Sequence, residues 1–403
     1  MSTKKIVRNI HLWLGLSSGL VVCLLCISGA LFVFAEEIMH AYNKKHLHVV
    51  PGIERLPVDD LAATFKERFP DEQYFWINTY NDPARSFDVV SGISRSQQAE
   101  DIRLKLTFLN PYTGDIIGED FVSANFAFLV AHFHSQLLLG EVGLWIIRIA
   151  SLIFLVELII GIILWWPTSK NEARSAFRPK YPASRKRINH DLHRVYGFYG
   201  CWLLLISVTT GLIMSFDWIE KPVVAAFGGS PELVGQQVPE AGKLVGQPFV
   251  SLQTMYEEFE QACPDGHKFT LFALRSDTTT SQYVLIDRDD RFLHLYGDNK
   301  VLNRYTGKQL NQPLVAEFEK NQDIIEGALN IHMGTIGGWP TQVLALLVGL
   351  FGASLPITGF FIWRGRGKKP KNRQETNTLH PLAIENKDSE LSASENRNRV
   401  FNT

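Results

Sequence analysis

Four long stretches with almost no charge constrain this chain more than any other feature of its sequence. Each is long enough for a helix that crosses a bilayer, because about 20 apolar residues span the hydrocarbon core. The average composition hides these stretches, since 46% of all residues are hydrophobic and 20% are charged. We therefore predict a membrane protein with four transmembrane helices and exclude a soluble globular protein. The four stretches are residues 12–35, 142–167, 195–216 and 333–363.

Basic residues assign the two sides of the predicted helix bundle. Lys and Arg cluster before the first stretch, between the second and third, and after the fourth. The positive-inside rule places such clusters in the cytoplasm. We therefore predict that residues 1–11, the basic loop 168–194 and the tail 364–403 are cytoplasmic, and that residues 36–141 and 217–332 face outward. The tail is polar and rich in Asn, Glu and Ser, a composition typical of disorder.

The charge balance of the chain argues against one class of partner. The 40 Lys and Arg residues are matched by 41 Asp and Glu residues, so there is no basic field to attract nucleic acid. We therefore expect no nucleic-acid partner, and we expect the lipid bilayer to surround the four helices.

Both outward segments are predicted as small α+β modules with the same order of elements. In the first, helical spacing is followed by three strand-like runs, at residues 58–69, 73–80, 86–92 and 103–109. In the second the same order recurs, at residues 252–262, 268–274, 282–287 and 292–296. Each module also contains a YTG triplet, at residues 112–114 and 305–307. A glycine at this position predicts a tight turn with positive φ.

The two halves of the chain match at fixed offsets. An offset of 182 residues aligns the first helix with the third and superposes His11 on His193. An offset of 198 residues aligns the second helix with the fourth and superposes His134 on His332. We infer an internal tandem duplication. Because each copy crosses the membrane twice, the two copies share one orientation.

Four histidines occupy matched positions near the ends of the predicted helices. His11 and His193 lie just inside the cytoplasmic ends, and His134 and His332 lie on the outer side. A single histidine there is explained by a ring that reaches the headgroups. Two related pairs instead predict facing imidazoles, which a six-coordinate haem requires. Because no C-x-x-C-H motif occurs, we predict two non-covalently bound b-type haems, one near each membrane face.

Two alternatives stay open for these histidine clusters. Zinc competes as the bound metal, although zinc prefers four ligands and neither cluster adds a Cys, Asp or Glu at ligand spacing. His132 or His190 could replace the nearby matched histidine as a ligand. Their repeat partners are Asn330 and Arg8, so the symmetry of the duplication favours the matched histidines.

Glu157 stands near the middle of the second predicted helix. Intramembrane carboxylates are costly to bury, so such a residue is a candidate for function. Arg148 lies nine residues earlier, on the opposite face of the helix, and cannot pair with it. We expect Glu157 to face the bundle, where it either handles protons or takes part in a structural hydrogen bond. The hydroxyl groups expected as its partners belong to Ser207, Thr209 and Thr210.

Several helix motifs carry a resemblance to a known family. RNIHLWLGL at residues 8–16 with SGAL at 28–31, LHRVYG at 192–197 and LWWP at 164–167 resemble the helices of the PepSY-associated transmembrane family of iron-regulated membrane proteins. The resemblance spans about residues 5–366. Through the YTG triplets, the outer modules are similar to PepSY domains.

Members of this family include inner-membrane ferric-siderophore reductases that carry haem on transmembrane histidines. The resemblance implies a place in the bacterial inner membrane, with two periplasmic PepSY-like modules. It implies an enzyme, a transmembrane ferric reductase that converts periplasmic ferric siderophore from Fe(III) to Fe(II). It implies axial haem ligands at His11, His134, His193 and His332. Because no G-x-G-x-x-G motif occurs, we expect the electron donor to be a quinol or a separate cytoplasmic reductase.

A six-coordinate iron has no open site, so a ferric complex must dock beside the outer haem. We expect this dock in a cleft between the two outer modules. Aromatic side chains there could hold a bulky chelate, and the candidates are Tyr74, Phe75 and Trp76, although core packing explains these residues equally well.

A non-enzymatic alternative stays open beside the reductase. The chain could be a membrane-anchored PepSY module that binds or regulates a periplasmic protease or peptide. Its histidines would then be only interfacial, and the protein would be colourless when expressed with ample haem.

Overall fold

The computed structural model of the protein describes residues 3–94, 102–122, 125–244, 246–262, 266–272, 279–288 and 298–365. Within these residues the helices are α1 (Thr3–Phe32), α2 (Ala35–Tyr42), α3 (Lys44–Leu47), α4 (Val58–Arg68), α5 (Phe126–Gln136), α6 (Gly140–Trp165), α7 (Lys170–Ala176), α8 (Arg185–Asp191), α9 (Gly197–Ile213), α10 (Asp217–Ala226), α11 (Leu252–Ala262), α12 (Pro313–Met333) and α13 (Trp339–Arg364). The strands are β1 (Gln73–Tyr80), β2 (Phe87–Ser94), β3 (Ile102–Leu109), β4 (Ile116–Asp120), β5 (Gly266–Phe272), β6 (Ser281–Arg288) and β7 (Asp298–Asn303). The strand predicted at residues 292–296 and the tail beyond residue 365 lie outside the described residues.

Four helical segments in the described part of the chain are long and apolar enough to cross a membrane. They are α1, α6, the continuous segment Arg185–Ile213 that contains α8 and α9, and α13. A helix suits this task because it satisfies its backbone hydrogen bonds internally, where lipid offers none. These segments coincide with the four apolar stretches of the sequence.

Several helix boundaries differ from the apolar stretches, and the largest difference is in the third segment, which begins at Arg185 and not at residue 195. α1 begins at Thr3, so the basic residues before the first stretch are already helical. The last stretch begins at residue 333, but α13 begins only at Trp339. Gly334 and Gly338 adopt φ angles of 76° and 65°, and this left-handed backbone separates α12 from α13.

The long helices form a bundle in which α1 packs against α6 and α13, and α9 packs against the same two helices. α1 and α9 are therefore diagonal partners. Small residues bring α13 close to α1, because a Cβ on Gly349 would lie 3.0 Å from the Cβ of Ala30. Such close approach of helix backbones is a common basis of helix association in membranes.

One seven-stranded antiparallel sheet contains all strands of the described residues, in the order β4-β3-β2-β1-β5-β6-β7. β1 pairs with β5 from Trp76 opposite Phe272 to Tyr80 opposite Lys268. This pairing joins the two soluble segments of the chain. The α+β modules that the sequence predicts as two units therefore share a single sheet, whose central strands come from different segments.

Helices cover one face of this sheet and fill its apolar core. α4 and α11 pack there over buried residues that include Ile77, Val89, Phe269 and Val284. The two helices also cap each other. The Asp59 carboxylate accepts hydrogen bonds from the backbone N–H of Leu252 and Gln253 at 2.9 and 2.8 Å, and the Gln253 side chain accepts one from Val58 N–H.

The opposite face of the sheet is the one that connects to the helix bundle. His46 of α3 stacks on Phe108 of β3 at 5.7 Å, and Phe318 of α12 packs on Tyr283 of β6 at 6.2 Å. α12 then continues away from the sheet and packs against α9. The sheet is therefore linked to the bundle by a helix that ends at Met333.

The two YTG triplets form equivalent turns. Gly114 and Gly307 adopt φ angles of 77° and 74°. The side chains of Asn110 and Asn303 each accept a hydrogen bond from the tyrosine N–H two residues later, at 2.9 and 2.8 Å. The prediction of a tight turn with glycine at positive φ is confirmed at both places.

Candidate functional site

Two pairs of histidine rings face each other inside the bundle. His11 of α1 lies opposite His193, with ring centroids 6.3 Å apart and ring planes at 67°. His134 of α5 lies opposite His332 of α12, with centroids 6.2 Å apart and planes at 52°. We call the first the loop-end pair and the second the sheet-end pair. In both pairs, the structure brings together residues that are far apart in the sequence.

The two pairs lie at opposite ends of α1. His11 is in the first turns of this helix, and Gly29 near its other end contacts the sheet-end pair, since a Cβ there would lie 3.0 Å from His134 Cε1. The 18 residues from His11 to Gly29 correspond to about 27 Å of helix. This length is close to the thickness of the hydrocarbon core, about 30 Å.

One ring nitrogen of each sheet-end histidine is held by oxygen atoms of the neighbouring membrane helix. His134 Nδ1 lies 3.1 Å from the Leu25 carbonyl and 3.1 Å from Ser28 Oγ. His332 Nδ1 lies 2.9 Å from the Ser207 carbonyl and 3.1 Å from Thr210 Oγ1. Because a carbonyl oxygen only accepts hydrogen bonds, Nδ1 is the protonated nitrogen in both rings.

The hydroxyl groups support the same assignment. Ser28 donates its own proton to the Leu24 or Leu25 carbonyl, and Thr210 donates to Ile206 or Ser207. Each hydroxyl oxygen is therefore free to accept from a histidine Nδ1–H. In the neutral imidazole this leaves Nε2 unprotonated, which is the form that binds a metal.

His193 of the loop-end pair also has a hydroxyl oxygen beside its Nδ1, and here the hydroxyl belongs to α13. Its Nδ1 lies 2.8 Å from Thr358 Oγ1 in α13, and Thr358 donates its proton to carbonyls one turn earlier in α13. His193 itself stands in a π-helical turn, Leu192–Tyr196, between α8 and α9. Asn189 donates a hydrogen bond to the Thr358 carbonyl at 3.0 Å. Single π-helical turns inside α-helices frequently occur at functional sites.

His11 differs from the other three histidines because a carboxylate contacts it. Its Nδ1 lies 3.0 Å from Glu157 Oε2, and the Glu157 side chain is only 10% exposed. The expectation that Glu157 bonds to Ser207, Thr209 or Thr210 of the third helix is therefore wrong. α6 packs against both α1 and α9, and this residue faces α1.

Each of the four histidines also lies over a glycine of a neighbouring helix. The position of a Cβ on Gly29 or Gly211 is 3.0 Å from Cε1 of His134 or His332. The corresponding positions on Gly161 and Gly359 lie 3.8 and 3.5 Å from Cε1 of the loop-end histidines. A Cβ would press on the rings at the sheet end, whereas at the loop end it would make only ordinary van der Waals contact.

A family model agrees with this architecture. The model is described as the PepSY-associated TM region, and it matches residues 8–366. The chain belongs to this family. The match covers both histidine pairs and the sheet, and it confirms the resemblance noted in the helix motifs. A comparison with curated proteins finds no match.

This PepSY-associated membrane protein holds its two remaining candidate histidines outside the pairs. The His132 ring packs on Phe128 at 4.1 Å, and its Nδ1 contacts the Gln136 amide. His190 Nδ1 lies 3.6 Å from Asp191 Oδ1, and its side chain is about half exposed. Among the described residues no group of three or more His, Cys, Asp or Glu side chains converges as metal ligands. Each pair therefore offers two imidazoles, fewer ligands than zinc prefers.

Sequence reasoning missed the hydroxyl groups that contact the histidines of this PepSY-associated protein. A signal was present, because Ser28, Thr210 and Thr358 each directly precede one of the glycines that lie under the rings. The fourth such glycine, Gly161, is preceded by Ile160. This is the place where Glu157 supplies the oxygen instead.

Proposed function

We propose that this membrane protein binds two b-type haems and moves electrons across the membrane to a ferric complex. The observation that carries the proposal is the spacing of the two histidine pairs. Two imidazoles that hold one metal ion through a ring nitrogen each, at the usual distance of about 2 Å, would have ring centres about 6 Å apart. The centroid distances of 6.3 and 6.2 Å agree with that arrangement.

The surroundings of the rings fit such a cofactor. At His134, His193 and His332 the oxygen contacts hold the proton on Nδ1 and leave Nε2 as the metal-binding nitrogen. Glycines next to the rings leave room for a flat macrocycle. When bound with two histidine ligands, haem supplies one-electron transfer and offers no open position for oxygen. The chain's own residues would orient the rings and keep water from them.

An arginine with one buried, unbonded nitrogen also supports the fit. Arg148 of α6 lies over the rings of Trp145 and Phe216, at 5.2 and 5.4 Å. Its Nε atom is buried and has no hydrogen-bond partner in the described part of the chain. A buried charge is costly unless it is paired. Haem carries two propionate groups, and we propose that Arg148 balances one of them.

The two histidine pairs would hold haem at two depths in the membrane, which we call the cofactor levels, so an electron would cross in two shorter steps. The levels are separated by about 27 Å of helix. We propose that electrons enter at the loop end from a quinol or a separate cytoplasmic reductase and leave at the sheet end. In this proposal the protein lies in the bacterial inner membrane with both termini in the cytoplasm, and the sheet is periplasmic. The basic residues around the loop end support this orientation.

A tandem duplication explains why two sites exist. His11 and Gly161 are in contact, as are their counterparts His193 and Gly359. The same holds at the sheet end, where His134 lies over Gly29 and His332 lies over Gly211. The contacts therefore recur at matched sequence positions. This supports the descent of both halves from one ancestral unit, two copies of which would bind each haem between them.

The dock for the ferric complex needs a different place from the one predicted. The pairing of β1 with β5 fills the boundary between the two modules with backbone hydrogen bonds, so a cleft along that boundary is excluded. The side chains of residues 74 and 75 lie outside the described ones, and Trp76 packs on Phe272 at 6.4 Å. We propose instead the face of the sheet that is turned toward the bundle.

This face carries a buried polar network on its central strands. Asn78 accepts a hydrogen bond from Thr270 and donates one to Asp88, which also accepts one from the Tyr80 hydroxyl at 2.8 Å. Burial raises the pKa of the Asp88 carboxyl, against the opposing effect of these hydrogen bonds. Burial also raises the pKa of Tyr80. These buried hydrogen bonds make the central strands a rigid floor for this face of the sheet, on which we propose that the ferric complex docks.

The haem content of the purified protein tests the first half of the proposal. Protein expressed with ample haem should show a Soret band with sharp α and β bands, and pyridine haemochrome analysis should approach two haems per chain. The double variant His11→Ala/His134→Ala controls for non-specific haem. A colourless wild-type protein would support the non-enzymatic PepSY module, and a value near one would contradict the two-pair assignment.

Reoxidation by a ferric complex tests the second half. Reduced protein in detergent, mixed without oxygen with a ferric siderophore and the ferrous trap ferrozine, should become oxidised as the ferrous complex forms. The variant His332→Ala, which lacks a sheet-end ligand, serves as the control and should stay reduced. If wild-type protein stayed reduced with several siderophore classes, reductase activity would be the wrong assignment, and electron transfer to another protein would be the better one.

A further inference from the structure

We propose that Glu157 is a positioning residue that lowers the reduction potential of the loop-end site below that of the sheet-end site. This inference rests on the proposed function and extends it, because it gives the electron path a direction. One electron then passes downhill from the loop-end site, which is oxidised, to the sheet-end site, which is reduced. The donor replaces the electron at the loop end, and the ferric complex removes it at the sheet end.

The four histidines differ in the group that contacts their Nδ1 atom. Three have Nδ1 in contact with a hydroxyl or carbonyl oxygen. Only His11 has a carboxylate there, 3.0 Å away. The counterpart of Glu157 in the other half of the chain is Leu355, and the counterpart of Thr358 is Ile160. One of the four histidines thus has a carboxyl oxygen beside Nδ1, where the other three have a hydroxyl oxygen.

Glu157 lies close enough to His11 to act on the site through its charge. Its Oε2 is within ion-pair distance of His11 Nδ1, although that nitrogen has no hydrogen-bond partner among the described residues. A negative charge near a haem favours Fe(III) over Fe(II). The charge effect is large where little water is present to screen it, and the Glu157 side chain is only 10% exposed. A charge at this position would lower the reduction potential at the loop end.

Glu157 has no other side-chain partner among the described residues. Its second oxygen, Oε1, is buried without a hydrogen-bond partner. Arg148, the other charge in the apolar part of α6, lies over Trp145 and Phe216 instead. A Cβ on Gly15 would lie 3.1 Å from Glu157 Oε2, so the absence of a side chain at Gly15 leaves room for the carboxylate beside His11.

A redox titration with resolved haems tests the inference. Wild-type protein should titrate with two midpoint potentials, and the variant His134→Ala, which keeps only the loop-end ligands, should retain the lower one. Glu157→Gln keeps the size of the side chain and removes the charge. It should bind both haems, shift the lower potential upward and leave the higher one unchanged. Ser17→Ala, in α1 but bonded only to its own helix, is the control and should move neither.

The outcomes separate this inference from the proposed function. If wild-type protein binds no haem, the proposed function fails. If two haems bind and Glu157→Gln leaves both potentials in place, Glu157 does not set the potential and the inference is overturned. If Glu157→Gln loses the loop-end haem, the variant Glu157→Asp tests the inference instead, because it keeps a carboxylate at this position. Recovery of the haem at the low potential supports the inference, and failure to recover it contradicts the inference.

Discussion

His134 Nδ1 lies 3.1 Å from Ser28 Oγ, and this contact joins two helices whose residues are 106 positions apart in the chain. The contact fixes which ring nitrogen carries the proton. Together with the Leu25 carbonyl it leaves Nε2 of His134 unprotonated, and the equivalent contacts of Thr210 and the Ser207 carbonyl do the same for His332. A neighbouring helix therefore fixes the tautomer of each ring at the sheet end.

Removal of single histidines should separate the two proposed haems. His11→Ala or His193→Ala should lower the haem content from two per chain toward one and block reduction from the loop end. His134→Ala or His332→Ala should also leave one haem, which is still reducible from the loop end but inert toward an external ferric complex. Absorption spectra with haemochrome analysis and vesicle-based reduction measure both effects.

A matched control for this experiment is His132→Ala. This residue is two positions from His134, but its ring contacts Phe128 and Gln136, so both haems should remain. If all four ligand substitutions removed both haems equally without unfolding the protein, the sites would not be separate.

Thr210→Val should weaken the retention of the sheet-end haem. The substitution removes the Oγ1 contact to His332 Nδ1 while the Ser207 carbonyl still accepts from it. Loss of an outer-shell contact typically costs about 10–100-fold in metal affinity, and we expect the lower end of that range because one acceptor remains. The rate of haem transfer to apomyoglobin measures the effect. Thr209→Val is the control, since Thr209 is exposed, and an equal loss in that variant would contradict the role of Thr210.

Gly29→Ala should disturb the sheet-end haem more than Gly161→Ala disturbs the loop-end one. A new methyl group on Gly29 would meet His134 Cε1 at 3.0 Å, closer than ordinary contact, whereas the same group on Gly161 would lie 3.8 Å from His11 Cε1. We expect the haem content to fall toward one in Gly29→Ala and to stay at two in Gly161→Ala. Equal haem content in the two variants would show that the ring can yield and that the glycine is not needed.

The sequence predicts the elements of this protein better than their partners. Apolar length locates the four membrane helices, and alternation locates β1 at the residues where it is found, because both depend on local periodicity. The pairing of β1 with β5 joins segments almost 190 residues apart, and no local pattern encodes it. Two modules were therefore predicted where a shared sheet exists.

At the candidate site, too, some features could be predicted from the sequence and others could not. The matched offsets in the sequence predict which histidines pair, since matched positions in two copies of a repeat tend to meet about an axis. The partner of Glu157 could not be predicted, because the rotation of one helix gives the face of a residue but not which of two neighbours covers that face. α6 contacts both α1 and α9. The π-helical turn at His193 was also missed, because it lies where the basic loop meets the third apolar stretch and no residue pattern marks it.

The last prediction concerns the sheet and does not depend on haem. Lys105 and Glu72 form a buried ion pair with Nζ 2.6 Å from Oε1, and both side chains are less than 10% exposed. Ser91 donates a hydrogen bond to the other Glu72 oxygen at 2.6 Å, and Lys105 Nζ lies 3.3 Å above the ring of Phe69.

Lys105→Met should lower the free energy of unfolding of the sheet by about 3–5 kcal/mol, because it leaves the Glu72 carboxylate buried without its cation. The double variant Lys105→Met/Glu72→Leu should recover most of this loss, since Glu119, the other carboxylate that pairs with Lys105, is 38% exposed and remains solvated. Lys308→Met is the control, because Lys308 is 70% exposed and 4.0 Å from Glu258, and exposed pairs contribute only about 0–1 kcal/mol. Thermal unfolding of the full chain in detergent, followed by circular dichroism, measures all three variants. A double variant as unstable as Lys105→Met would show that the lysine stabilises the sheet by packing on Phe69 and not by pairing with Glu72.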